Sequence, residues 1–167
     1  MKKLNFYVID TSSLIDFNIR YPMDVFPNLW NKVEDLIKRG MLIAPKEVFN
    51  EIAVGDDVLK EWAKKQKKLF KELDKLQIQI VKDILKQYPS LAKPSKDGPN
   101  ADPFIIALAL SLVRDPQQTL SPSVKKRIIV TEEQLRGTAI KIPFVCKNYG
   151  IDCINIVEMF RSEGWKF

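Results

Sequence analysis

The chain has 167 residues, a length that fits one domain with its own hydrophobic core. It carries 27 Lys and Arg against 21 Asp and Glu, a formal net charge of +6, and it contains no histidine. The absence of histidine excludes Ser-His-Asp and Cys-His nucleophilic catalysis, histidine-ligated zinc and imidazole general bases. Any chemistry must therefore use carboxylates, hydroxyls, amines or a bound metal.

The cysteines and the N-terminal segment predict a cytoplasmic protein. Cys146 and Cys153 have the spacing of neither a C-x-x-C redox pair nor half of a zinc site, so we expect free thiols in a reducing compartment. The segment before Asp10 has two lysines and a short apolar run, which is neither a signal peptide nor a membrane span. We expect one cytoplasmic domain over residues 1–167.

The first 55 residues alternate predicted strands and helices. A buried strand is expected over Leu4 to Ile9, and the polar cluster after it begins a helix in which Ser13 and Asp16 resemble a capping box. The elements expected next are a helix over 27–40, a strand over 41–44 and a short helix over 45–52. This β-α-β-α order is typical of an open, mostly parallel sheet with helices on both faces.

A helical insertion is predicted over residues 56–88. The segment has no Gly or Pro, and its apolar residues recur every three or four positions, which indicates one long amphipathic helix or a helical hairpin. We expect the apolar face to lie in the core, with part of it available to a homodimer partner or a protein helix. The opposite face is rich in lysine, notably Lys64, Lys67 and Lys68.

The second half of the chain continues the pattern after a loop over 89–100. Asp102 at an N-cap and Pro103 at the first helical position predict an apolar helix through Val113. After a second loop, over 115–123, a strand over 127–131 runs into Glu132 and Glu133. The remaining predicted elements are a helix within 141–150, an edge strand over 153–155 and a helix over 156–163.

Acidic residues fall at the ends of these elements. Asp10 follows the first strand, Glu51 lies near the end of a short helix, Asp102 begins a helix, and Glu132 and Glu133 follow the third clear strand. Ligand sites in open α/β sheets lie at the carboxyl ends of the strands. Carboxylates that converge there repel one another unless a cation lies between them, and oxygen ligands without His or Cys favour Mg²⁺ or Mn²⁺.

Each acid also has a simpler explanation when it is taken alone. Asp10 and Asp102 fit plain helix N-caps, because Asp is common immediately before a helix. Glu51 fits a solvated helix residue, and Glu132 and Glu133 fit an exposed turn. The metal hypothesis therefore rests on the whole set and its order along the chain.

Four short segments carry a family resemblance: VIDTS at 8–12, VFNEI at 48–52, ADPFIIALA at 101–109 and VTEE at 130–133. In this order they resemble the PIN domain, the fold of VapC-like toxin ribonucleases. The tail, at 141–146 and 158–160, is similar to an uncharacterised PIN-like subfamily of bacteria and archaea. The resemblance implies a Rossmann-type α/β/α sandwich with a mostly parallel sheet of four or five strands, and a Mg²⁺ or Mn²⁺ site that cleaves RNA.

The resemblance also implies roles for individual residues. Asp10, Glu51 and Asp102 match the three core acids of the family. Glu133 stands where the family usually has Asp or Asn, with Glu132 beside it, which leaves open which of the two is the fourth acid and whether a second metal binds. Two threonines match polar positions that orient the acids: Thr11 and Thr131.

We therefore expect a metal-dependent endoribonuclease in which metal-bound water replaces a histidine base. The net charge indicates an anionic partner, and we expect Lys64, Lys67 and Lys68 to contact RNA, the alternative being a solvated lysine face. A toxin held inactive by a small antitoxin protein is the first hypothesis. A nuclease of RNA processing or of structured DNA, and a PIN-fold binding module without catalysis, are the alternatives. A phospho-acceptor receiver domain is disfavoured, because the acidic pair and late lysine that it needs are not evident.

Overall fold

The computed structural model describes residues 4–55, 57–92, 100–111, 113–114 and 124–167. Within these residues, five strands form one sheet in the order β3-β2-β1-β6-β7, and every neighbouring pair is parallel. The strands are β1 (Tyr7–Ile9), β2 (Leu42–Pro45), β3 (Phe70–Lys71), β6 (Ile128–Val130) and β7 (Cys153–Ile154). Two further strands, β4 (Val113–Arg114) and β5 (Val124–Lys125), form a separate antiparallel pair.

Helices follow most of the strands and flank the sheet. They are α1 (Thr11–Arg20), α2 (Pro27–Lys38), α3 (Lys46–Ile52), α4 (Asp57–Lys65), α5 (Lys75–Gln87), α6 (Asp102–Leu110), α7 (Ile142–Tyr149) and α8 (Ile156–Glu163), with a 3-10 turn at Pro89–Ala92. The architecture is a Rossmann-like α/β/α sandwich, so the predicted fold class is confirmed. The helix over 156–163 has the predicted bounds, and α2 begins at Pro27 as expected.

The core is built around β1 and α6. Tyr7, Val8 and Ile9 have no exposed surface, which means that both faces of the central strand are covered. Helix α6 contacts β1, β2 and β6. Elsewhere, Phe17 of α1 stacks on Trp30 of α2 with ring centroids 4.1 Å apart, which joins these two helices.

The segment over 57–88 differs from the predicted insertion. It contains α4, then β3, then α5, so it is neither one long helix nor a helical hairpin. The backbone N–H of Ala44 donates to the carbonyl of Leu69, and β3 pairs with the end of β2 as an edge strand of the sheet. Asp74 forms a capping box with Gln77 that begins α5. This motif is visible in the sequence and marks the break that apolar periodicity alone conceals.

Smaller corrections concern helix and strand ends. The capping box expected at Ser13 and Asp16 is not formed, because α1 begins at Thr11 and the Ser13 hydroxyl instead contacts Glu132. Pro45 ends β2 and is the N-cap of α3, so the short helix begins at Lys46, one residue after the predicted start. The pair β4 and β5 was not predicted. Most of the predicted loop over 89–100, and all of that over 115–123, lie outside the described residues.

No helix in the described ranges is both long enough and apolar enough to span a membrane.

Candidate metal centre

Two adjacent parallel strands end together at the carboxyl edge of the sheet. Ile9 of β1 is in register with Val130 of β6, and the backbone N–H of Asp10 donates to the Val130 carbonyl at 2.8 Å. Asp10 and Thr131, the residues that follow these strands, therefore lie side by side. The Thr131 hydroxyl donates to Asp10 Oδ2 at 2.8 Å, although 121 positions separate the two in the sequence.

The Asp10 side chain is buried and does not cap α1. Its residue occupies the N-cap position, but no hydrogen bond joins its side chain to the helix N–H groups. Its Oδ2 instead accepts from the hydroxyls of Ser12 and Thr131, each at 2.8 Å, and only 4 % of the residue is exposed. The pKa of Asp10 is raised to about 6: burial is the largest cause, the charges of Glu133 and Glu51 add to the increase, and the two hydroxyls oppose it.

Asp102 is also not a helix cap. Helix α6 has Ala101 at its N-cap, Asp102 is the first helical residue, and no side-chain capping bond is formed. The N-cap predicted at Asp102 is thus wrong by one position, because the helix already includes Asp102 and Pro103. Burial, together with repulsion from Asp10, Glu133 and Glu51, raises the pKa of Asp102 to about 8.

Glu51 connects α3 to the start of α6. Its Oε1 accepts a hydrogen bond from the backbone N–H of Ala101 at 2.9 Å. This contact joins two elements 50 residues apart and places Glu51 next to Asp102. The repulsion that Asp10 and Asp102 both receive from Glu51 agrees with that position.

Glu132 and Glu133 have separate surroundings. Glu132 Oε1 accepts from the backbone N–H of Ile156 at 2.9 Å and from the Ser13 hydroxyl at 3.2 Å, so it holds the starts of α8 and α1 against the end of β6. Glu133 interacts electrostatically with Asp10 and Asp102, and its Oε2 accepts from the backbone N–H of Ile142 at 3.2 Å. The structure therefore brings Glu133, rather than Glu132, towards the other acids.

Some hydroxyl groups near Asp10 form a hydrogen bond to its carboxylate and one does not. Thr131 donates to Asp10, as expected for an orienting residue, and Ser12 adds a second bond that sequence reasoning missed. The position of Ser12 two residues after Asp10 was the available signal, since Ser so placed can bond an acid locally. The buried Thr11 Oγ1 has no hydrogen-bond partner in the described parts of the chain. An orienting role for Thr11 is therefore not evident.

Among the described residues, no nearby cation balances the charge that the four acids carry when they ionise. Where the chain is described, no lysine or arginine forms an ion pair with Asp10, Glu51, Asp102 or Glu133. Their donors are all carboxylate oxygens, which suit Mg²⁺ or Mn²⁺. No three acidic or thiol side chains of the described residues lie close enough to hold one ion as placed. The donor set thus fits a hard divalent cation, and side-chain rotation is needed for three acids to share it.

The predicted RNA-binding lysines lie away from the acids, near the end of α4. Lys64 and Lys67 line a cavity beside β3, and Lys64 also pairs with Glu61 at 2.8 Å. Lys68 is exposed and does not line that cavity.

The comparisons with known proteins give one match. Residues 7–167 match the sequence model of a family described as a domain of unknown function, DUF4411. No curated protein matches the chain significantly, and no solved structure does.

Proposed function

The chain belongs to the DUF4411 family of unknown function, and from its cluster of acids we propose that it is a metal-dependent endoribonuclease. The observation that carries the proposal is a pair of aspartates, the buried Asp10 and the half-buried Asp102, which sit at helix starts without capping them. The simpler explanation of these residues as caps does not account for them, and their burial without a cation is costly unless a ligand compensates.

We assign the cation to Asp10, Glu51 and Asp102, with Glu133 as the fourth acid. A divalent ion bound there supplies neutralisation of the phosphate charge and an activated water. The resemblance of segments 8–12, 48–52, 101–109 and 130–133 to the PIN domain supports this assignment and favours RNA as the substrate.

The protein's own hydrogen bonds prepare the acids for this role. Ser12 and Thr131 both donate to Asp10 Oδ2, which fixes that carboxylate and leaves Oδ1 without a hydrogen bond among the described residues. In the same way, the N–H of Ala101 holds one oxygen of Glu51, and the N–H of Ile142 holds one oxygen of Glu133. In each case one carboxylate oxygen is held by the protein and the other is available to a ligand.

We further propose that the protein is cytoplasmic and that a small antitoxin protein inhibits it. Processing of RNA, or cleavage of structured DNA, would use the same acids, because the choice of substrate depends on residues outside them. No three of these acids can hold one ion as placed, which favours a second candidate, a nucleic-acid-binding module without hydrolysis.

Cleavage of RNA tests the proposal. We expect the protein to cut RNA in Mg²⁺ or Mn²⁺, and Asp10→Asn to lower the rate at least about 100-fold, because the substitution removes a ligand charge at the reacting phosphate. Asp24→Asn is the matched control, since Asp24 is exposed and forms no ion pair within the described residues. Cleavage that survives Asp10→Asn, or that persists in EDTA, contradicts the proposal.

Calorimetric titration with Mn²⁺ distinguishes the nuclease from the binding module without hydrolysis. A nuclease of this kind binds Mn²⁺, and Asp10→Asn weakens that binding. A module that has lost catalysis shows RNA binding with no heat of Mn²⁺ binding.

A further inference from the structure

A cavity beside the edge of the sheet combines aromatic rings with lysines. It has a volume of about 350 Å³, within the range of about 300–1,000 Å³ typical of ligand pockets. It lies between α3, the end of α4 and the edge strand β3. Its lining includes the rings of Phe49 and Phe70 and the lysines Lys46, Lys64 and Lys67.

The two rings form an apolar wall that is only partly covered by the core. Phe49 and Phe70 are half-buried and pack edge to face, with centroids 5.2 Å apart. Both rings line the cavity and are only partly covered, so a flat group in the cavity can stack on one of them. The rings therefore present a surface suited to a planar aromatic ligand.

The charges around this wall favour an anion. The lining has three lysines against a single acid, Glu72, whose carboxylate pairs with Lys46 at 2.9 Å. Lys64 pairs with Glu61, which lies outside the lining, at 2.8 Å. Lys67 forms no ion pair among the described residues, so its ammonium group is available to a ligand. A planar group with an attached negative charge matches both features.

The cavity lies across α3 from the candidate metal centre. Phe49 and Glu51 are both on α3, and at about 100° per residue their side chains leave the helix on opposite sides. One faces the cavity and the other reaches the start of α6. The width of a helix, about 10 Å, separates the two places. A strand of a few nucleotides can span that distance.

From this arrangement we propose that the cavity binds one unpaired nucleobase of an RNA strand whose scissile phosphate lies at the acids. Phe70 stacks on the base, Phe49 contacts the edge of the base, and Lys67 contacts the adjacent backbone phosphate. The proposal rests on the proposed function for the nature of the strand. It adds that the substrate is single-stranded at this position, because a base in a duplex is covered by its neighbours and cannot enter the cavity.

Binding in EDTA tests the base-binding cavity apart from cleavage. With a labelled single-stranded RNA of about 12 nucleotides, Phe70→Leu should weaken binding roughly 5- to 100-fold, the range expected when one base loses its stacking partner. Leucine keeps an apolar side chain at the edge strand but removes the flat ring. Phe167→Leu is the matched control, because Phe167 is 76 % exposed and lies outside the cavity. Thermal melting of both variants checks that they remain folded.

Two further readouts identify the groups involved. One abasic nucleotide at the sensitive position of the RNA should weaken binding to the parent but not to Phe70→Leu, since the stacking is already lost in that variant. Lys67→Gln should reduce the slope of log K against log salt by about 0.7, the value for one phosphate contact to a single strand. Lys38→Gln, an exposed lysine on another helix, should leave the slope unchanged.

The proposal is overturned if Phe70→Leu binds RNA as tightly as the parent, if the parent binds a duplex as tightly as a single strand, or if the parent binds no RNA at low salt. Its failure is distinguishable from failure of the nuclease proposal. If Phe70→Leu binds RNA like the parent and the parent cleaves RNA with metal, only the base-binding proposal is contradicted. If binding depends on Phe70 and the parent does not cleave RNA in Mn²⁺, only the nuclease proposal is contradicted.

Discussion

At the scale of single residues, the contacts of Asp10 are not those of a helix cap. An Asp that precedes a helix is explained equally well by capping or by ligand binding when only the sequence is known. In the structure its Oδ2 accepts two hydroxyl hydrogen bonds and the helix N–H groups receive none from it. The partner Thr131 could be found only by pairing β1 with β6, which local sequence does not specify.

The two threonines near this site offer a matched comparison. Thr131 Oγ1 donates to Asp10 and accepts from the backbone N–H of Glu133, whereas the buried Thr11 Oγ1 has no partner among the described residues. We expect Thr131→Val to lower the free energy of unfolding by about 1–2 kcal/mol, because it leaves buried groups without hydrogen bonds. Thr11→Val should change it by less than about 0.5 kcal/mol.

Urea denaturation measures both variants, and Thr131→Ser should keep most of the stability of the parent. Equal losses in Thr131→Val and Thr11→Val would show that the hydroxyl contact to Asp10 is unimportant.

At the scale of elements, the sequence predicts most helices and strands but misassigns one segment. Turn-forming residues mark the boundaries well: Pro27 begins α2, and Gly150, with a φ of 64°, ends α7. Strand β3 is missed because it has only two residues in the described structure and lies between lysine-rich stretches. It becomes a strand through pairing with β2, a tertiary contact that overrides local periodicity.

Helix α6 is held at both ends by residues distant in sequence. Glu51 accepts from the Ala101 N–H at its start, and Arg127 Nη1 donates to the carbonyls of Leu108 and Ser111 at its end, at 2.9 and 3.0 Å. The last carbonyls of a helix have no N–H donors within the helix, and the Arg127 guanidinium supplies the missing donors here. These contacts position the helix that carries Asp102.

Loss of the guanidinium should therefore destabilise the fold. We expect Arg127→Met to lower the free energy of unfolding by about 1–3 kcal/mol, since two carbonyls of a part-buried helix end lose a charged donor. Arg136→Met is the control, because Arg136 is exposed. Urea denaturation compares them, and a similar small effect of both substitutions would contradict the capping role of Arg127.

At the scale of the whole molecule, acidic and basic groups are separated. The chain has a net charge of +6, yet four of its acids meet at one edge of the sheet without an ion pair among the described residues. The surface away from that edge is consequently more basic than the total indicates. The sequence predicts which acids belong to the cluster, but their burial depends on how the helices cover the sheet.

This burial predicts how stability depends on pH. The pKa values of Asp10 and Asp102, about 6 and about 8, lie above their ordinary value of 3.8, so the folded state binds more protons than the unfolded state between these values. Without metal, the free energy of unfolding should fall as pH rises from about 4 to about 8. Asp102→Asn should remove most of the decrease above pH of about 6, because its amide does not ionise.

Urea denaturation in EDTA at several pH values measures this dependence. Stability that rises over the same range, or an Asp102→Asn profile identical to that of the parent, would contradict the burial of these carboxylates.

The central claim is that Asp10, Glu51 and Asp102 together bind a divalent cation, and the most direct measurement is anomalous diffraction from crystals soaked in Mn²⁺. We predict a manganese peak at the carboxyl edge of β1, with Asp10 and Asp102 as ligands and Glu51 rotated to join them. The same data reveal whether Glu133 holds a second ion. A well-diffracting soaked crystal with no peak among these acids, or with manganese bound only elsewhere, would contradict the claim.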